Sequence, residues 1–311
     1  MEPPVGREWP AQAYEVGREK IREYAAAVGA ASPVYRDPAA ASAMGFRAVV
    51  APPSFAAVYC AAAVASVMFD PLVGLFDPAA GLRSYRFVQR RQSYSWGEPV
   101  CAGDRITTTA RLIDAGERDG RATRVFGSTS QNGDGAVVAE GEYEGVVPPR
   151  GGGARQRSDS GGEAPRPPRG RAPRQGLGAG ELRPGDALPK LRTTPDRYAP
   201  MRYAGASGDF TPIHLDPAFA RAFGLPGVIL HGLYTYAQLC RCLLEPLGDD
   251  PRLLAKLNAA FKAPAFPERE LDAHAEVVRV GDAGPELECR VLQEGRPVLQ
   301  GSAVLAPLAS K

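Results

Sequence analysis

Apolar residues at positions 21, 24, 25 and 28 share one face of a 3.6-residue period and predict a helix over residues 16–28. Asp37-Pro38 then opens a short Ala-rich helix, since proline suits a first-turn position. Residues 54–68 are apolar on nearly every side, which predicts a long, enclosed helix. After that the period shortens. Strand-like runs at 84–90, 104–114, 122–130 and 136–147 are separated by turns such as Asn132-Gly133. The second half repeats the order: a short helix at 216–223, a long one from about 231 to 244, then strands near 253–262, 271–280, 286–293 and 298–305. A helix followed by antiparallel strands, twice over, is an α+β pattern in which each sheet curls around its helix. The expected fold is two antiparallel sheets, each wrapped around a long central helix and meeting edge to edge so that the edges are covered.

The repetition is also written in the residues. Residues 24–55 and 203–234 align without a gap at an offset of 179, with 12 of 32 pairs identical. Tyr24, Gly29, Pro33, Asp37, Pro38, Gly45 and Val49 fall on Tyr203, Gly208, Pro212, Asp216, Pro217, Gly224 and Val228. At two positions the chemistry differs: Ala30 faces Asp209, and Tyr35 faces His214. One copy has proton-handling groups where the other has none, the pattern of a pseudo-dimeric enzyme. Asp37 and Asp216 stand beside proline in both copies and are expected to start helices.

Composition adds a boundary. Residues 150–178 are Gly, Pro, Arg and Ser with almost nothing apolar, so burial cannot offset their ordering entropy and a flexible linker is expected. The expected division is 1–149, linker 150–178, and 179–311. The linker carries seven Arg against Asp159 and Glu163; the net charge of +2 therefore leaves the rest of the chain at −3, which argues against a nucleic-acid partner. Five cysteines without a CxxC pair point to reduced thiols. The longest apolar run, 14 residues from Ala56 to Phe69, is too short for a bilayer span. With no secretion signal at the N-terminus, a cytoplasmic protein without membrane association is expected.

The second copy reads Ser207-Gly208-Asp209-Phe210-Thr211-Pro212-Ile213-His214, and further on Ile229-Leu230-His231-Gly232-Leu233. These segments resemble the MaoC-like (R)-specific enoyl-thioester hydratases and 3-hydroxyacyl-thioester dehydratases of the hot-dog superfamily. Thr211 replaces the Asn usual in that motif, and its hydroxyl is expected to hold a neighbouring backbone group. The first half resembles the degenerate N-terminal domain of two-domain members, with Ala51-Pro52-Pro53-Ser54-Phe55 at the corresponding helix start. The resemblance implies a double hot-dog fold, Asp209 and His214 as catalytic groups, and the amide of Gly232 as oxyanion donor. It implies Ser207, Gly208, Thr211 and His231 as substrate-contacting positions, although His231 is read equally as a cap or packing residue. The implied substrate is an acyl thioester of CoA or acyl carrier protein, in fatty-acid or related metabolism, with the first domain supplying a substrate tunnel.

The residues carry this chemistry in their own right. Hydrating an enoyl thioester needs a group that moves protons near neutral pH, for which imidazole is suited, and a carboxylate to position water. The developing enolate needs preorganised donors, which a helix N-terminus supplies. The three histidines are not spaced as metal ligands, no GxSxG elbow is present, and no cofactor is expected. A thioesterase on the same fold and a non-catalytic acyl-thioester sensor or scaffold are the rival readings. Homodimerisation is left open.

Overall fold

The computed structural model describes residues 3–75, 79, 87–118, 120–147 and 178–306. The predicted linker lies outside them except for Gly178. The described chain runs β1 (Gln12–Glu15), α1 (Arg18–Val28), α2 (Pro38–Ala43), α3 (Ala56–Tyr59), α4 (Ala61–Met68), β2 (Val88–Trp96), β3 (Arg105–Asp114), β4 (Glu117–Arg118), β5 (Arg121–Gln131) and β6 (Val137–Val147). The second half runs β7 (Leu191–Thr193), α5 (Ala199–Ser207), α6 (Pro217–Ala222), α7 (Gly232–Leu244), β8 (Leu254–Phe261), β9 (Leu271–Gly281), β10 (Gly284–Gln293) and β11 (Arg296–Leu305).

The sheet differs from the expectation of two. All the strands join one antiparallel sheet in the order β1-β3-β5-β6-β2-β8-β11-β10-β9-β7, with β4 beside β5. The halves meet where β2 pairs β8, from Arg91 opposite Ala260 to Ser95 opposite Lys256. Each half alone would leave a row of unpaired N–H and C=O groups on that edge, and pairing them closes both rows at once. The edge-to-edge expectation thus describes the join correctly, but the product is a single continuous sheet.

The central helices also depart from the pattern. In the second half α7 begins at Gly232 and is buried along most of its length against β8, β9 and β10. In the first half the expected single helix begins as a 3-10 turn at Pro53–Phe55 and is divided at Cys60 into α3 and α4. Ala62 is exposed, and Ala61, Ala65 and Ser66 are half-buried, so α4 is not enclosed as its composition predicts. Alanine removes little apolar area from water, so a run of it gives a weak drive to full burial. Of the strand predicted at 84–90, residues 84–86 lie outside the described residues and 88–90 open β2, which continues to Trp96; Gln92, Ser93 and Ser95 break the apolar alternation that would have extended it. β1, β7 and α5 were not predicted.

Equivalent residues of the two copies touch each other. α1 packs on α5, and the rings of Tyr24 and Tyr203 lie 5.9 Å apart. A pseudo-twofold axis therefore passes between them, and the buried apolar residues of both halves form one core. Both helices end at a left-handed glycine, Gly29 (φ 77°) and Gly208 (φ 81°), which explains why this glycine occurs in each copy. Asp37 and Asp216 cap α2 and α6 through their side chains, as expected.

Candidate active site

The segment after Gly208 leaves the helix and returns through a 3-10 turn at Pro212–His214, which folds the Asp209 and His214 side chains toward the N-terminus of α7. There they meet His231, and a carboxylate oxygen of Asp209 and one ring nitrogen from each histidine lie within 4.8 Å of one another. Asp209 and His214 are partly buried and His231 is 1% exposed. His274 lies on β9 and is not part of the group.

Each member is held by specific hydrogen bonds. Thr211 donates twice to Asp209 Oδ1, from its amide at 3.1 Å and its hydroxyl at 2.6 Å. The Thr211 hydroxyl thus serves the carboxylate itself, where a neighbouring backbone group was expected. Ser207 Oγ donates to the Tyr203 carbonyl and accepts from the Asp209 amide, so it ties the helix end to the loop. His214 Nδ1 lies 2.9 Å from the Ile229 carbonyl. A carbonyl only accepts, so Nδ1 carries the proton and Nε2 of the neutral ring keeps its lone pair. His231 Nε2 donates in the same way to the backbone carbonyl of Asp209 at 2.9 Å. The His214 and His231 rings stack with centroids 3.8 Å apart and planes 25° from parallel.

Electrostatics assign the resting charges. At Asp209 burial opposes ionisation, but the positive charges that His231 and His214 carry when protonated in acid, with the Thr211 hydrogen bonds, outweigh it, and the pKa falls below the usual 3.8. At His214 burial outweighs the attraction of Asp209 and the bond to Ile229, and the pKa falls below 6.5. His231 is pushed down to about 4, by burial first and by His214 second. The site at neutral pH is a carboxylate beside two neutral imidazoles.

Gly232 is the first residue of α7, with His231 at the cap position. Among the described residues, the amides of Gly232 and Leu233 have no hydrogen-bond acceptor. They point along the positive end of the helix dipole. A Cβ on Gly232 would stand 2.9 Å from the Phe261 ring, so glycine is required by packing as well as by access.

The corresponding place in the first copy is closed. Tyr35 is buried and donates its hydroxyl to the Asp249 carbonyl. At the offset of 179, Gly232 falls on Pro53, which has no N–H to donate. Sequence reading missed this third loss, although the ungapped alignment contains it. Over Gly29 stands the Arg241 guanidinium, 2.8 Å from where a Cβ would lie and bonded to the Val28 carbonyl. Over the equivalent Gly208 the space is open. Phe210, next to Asp209, is 63% exposed.

Asp209, His214 and His231 have the residue types and proximity of a metal-binding set. Their geometry does not fit one. Imidazole lone pairs lie in the ring plane, and stacked, near-parallel rings cannot both aim them at one ion about 2 Å away. A cavity of about 310 Å³ at the other end of α7, lined by Lys190, Leu191, Arg241, Cys242 and Glu245 among others, contains none of the three.

A curled antiparallel sheet around a helix, built twice and carrying one acid–imidazole pair, defines a hot-dog protein of the double type. The chain belongs to the MaoC-like dehydratase family, as a two-domain member whose first half lacks the pair. Residues 4–140 match the family model "FAS1-like, dehydratase domain region" and residues 183–293 match "MaoC like domain". A solved MaoC-like dehydratase is 25% identical, with a TM-score of 0.81 over 98% of both chains. A UPF0336 protein of Streptomyces avermitilis is 46% identical over 109 residues, 35% of this chain and 68% of the relative. A probable enoyl-CoA hydratase 2 of Dictyostelium discoideum is 30% identical over 125 residues, 40% of this chain and 41% of that one. Among the described residues no helix is long and apolar enough to cross a membrane.

Proposed function

We propose that the chain catalyses reversible hydration of a trans-2-enoyl thioester to the (R)-3-hydroxyacyl thioester. The observation that carries this reading is the convergence of a carboxylate, a neutral imidazole with a free Nε2 and an unpaired helix-terminal amide at one place, all three absent from the twin copy. The likeness to a probable enoyl-CoA hydratase 2 points the same way.

In the hydration direction Asp209 accepts one hydrogen bond from a water and fixes its orientation. As the water oxygen bonds to C3, His214 Nε2 takes its proton and the C2=C3 electron pair moves onto the thioester oxygen. The Gly232 amide holds that oxygen as an enolate. The imidazolium then returns its proton to C2, and Asp209 stabilises the transient positive charge. Dehydration is the reverse. The open space over Gly208 supports entry of the thioester beside the pair, and the small side chains of α4 support a path for the acyl chain along the first domain. The thioester carrier is CoA or an acyl carrier protein.

The test is loss of enoyl absorbance with crotonyl-CoA and with longer enoyl thioesters on both carriers. D209N and H214A should each lower kcat by about 10²–10⁴-fold with unchanged melting temperature. Turnover near that of the unmodified enzyme would refute the assignment, and release of free thiol without loss of the enoyl band would favour a thioesterase.

A further inference from the structure

His231 lies in the site but differs from the other two members. It is nearly inaccessible, at 1% exposure, whereas Asp209 and His214 both reach solvent in part. Its one donated hydrogen bond goes to the backbone of residue 209, not to a side chain. Its ring covers a face of His214 at 3.8 Å and has the Tyr203 ring 4.8 Å away. Among the described residues its Nδ1 is buried without a partner, a cost that a residue serving only as packing would avoid. It caps α7 by position, but its side chain makes no capping bond.

We propose that His231 is a positioning residue: it clamps the backbone of the Asp209 loop to the start of α7 and forms a neutral stacking surface for His214, without contacting substrate. One imidazole thereby sets the spacing between the carboxylate and the Gly232 amide, since its side chain bonds residue 209 while its own backbone leads directly into residue 232. Neutrality matters as well. A charged ring face to face with His214 would oppose the imidazolium that His214 becomes in each turnover. The titratable groups facing His231 are Asp209, His214 and Tyr203; the first favours its protonation, but burial and His214 prevail.

This inference rests on the proposed hydration in its kinetic arm only. H231A removes both the clamp and the stack, and H231Q keeps a donor able to reach the Asp209 carbonyl. In the full-length enzyme H231A should lower kcat about 10²-fold with KM nearly unchanged, and H231Q should recover at least a third of that loss on a logarithmic scale. The acid limb of the H231A profile should move to higher pH, because His214 loses the ring that shields it from water. A raised KM at unchanged kcat would instead make His231 a substrate contact and overturn the proposal, as would equal activity of the Ala and Gln variants.

A second arm needs no substrate. Imidazole 15N spectra of the unliganded protein should show His231 as the neutral Nε2–H tautomer through pH 6, and His214 with a higher pKa in H231A than in the unmodified protein. A protonated His231 at pH 6, or an unmoved His214, would overturn the proposal even if crotonyl-CoA proved not to be a substrate. Absence of hydration by the unmodified enzyme across the whole panel of enoyl thioesters on both carriers, with the expected spectra, would refute the hydratase reading and leave the positioning role standing.

Discussion

Thr211 shows how a single departure from a motif is absorbed. Its hydroxyl and amide both converge on one oxygen of Asp209, so the carboxylate is aligned by one side-chain and one backbone hydrogen bond, of which only the first depends on the residue type. T211V keeps the shape and removes the hydroxyl bond, and a hydrogen bond to a charged group is worth about 1.5–3 kcal/mol. T211V should therefore lower kcat roughly tenfold or more and raise the pKa of Asp209, while T211S should stay near the unmodified enzyme; pH–rate profiles of the three check this. The histidines give a stability prediction. His214 and His231 have pKa values below the ordinary 6.5 in the fold, so the unfolded chain binds more protons and stability falls as pH drops from 6.5 toward about 4. Asp249, raised to about 6 by burial and Glu245, works in the opposite sense over an overlapping range. Comparing thermal melts of H231Q and the unmodified protein cancels Asp249, and the variant should lose less stability between pH 7 and 5. Asp209 and His214 were legible because a short motif fixes both. The role of His231 was not, because its bond to residue 209 and its stack on His214 join segments that only the fold brings together.

At the level of elements, the start of α7 carries the most constraint. Gly232 sits under the Phe261 ring of β8, so its amide is placed by strand packing as much as by the helix. G232A should push the helix start away from Phe261 and lower kcat with little loss of helix content by circular dichroism. Adding F261L should restore part of the activity by making room for the methyl group; no recovery would mean that the Phe261 contact does not set the amide position. The long apolar helices and the alternating strands of both halves were readable from their periods, with ends shifted by a few residues. Their exceptions have physical reasons. Cys60 interrupts α3 and α4 inside a run that looks uniform in composition, and the three residues of β7 are too short to display a period.

For the whole molecule, the β2–β8 join and the α1–α5 contact bind the halves independently of any covalent connection. Fragments 1–149 and 179–311, expressed together, should co-purify one to one on gel filtration and retain hydration activity. The second fragment alone exposes the β8 edge and should self-associate. Elution as a stable monomer would show that the edge is protected in another way. The duplication was visible in the sequence, yet a single sheet was not, because which edges pair depends on where the two copies face each other.

Arg241 gives the twin copy a different standing from an unused pocket. Its guanidinium rests on Gly29 and bonds the chain just before it, whereas nothing stands within 4 Å of where a Cβ on the equivalent Gly208 would lie. Restoring an acid and an imidazole by A30D and Y35H would still leave the Arg241 guanidinium over Gly29 and a proline without a hydrogen to offer. Occupancy by a slow substrate mimic should accordingly saturate at one molecule per polypeptide, and two molecules bound would show that the twin copy has kept a pocket of its own.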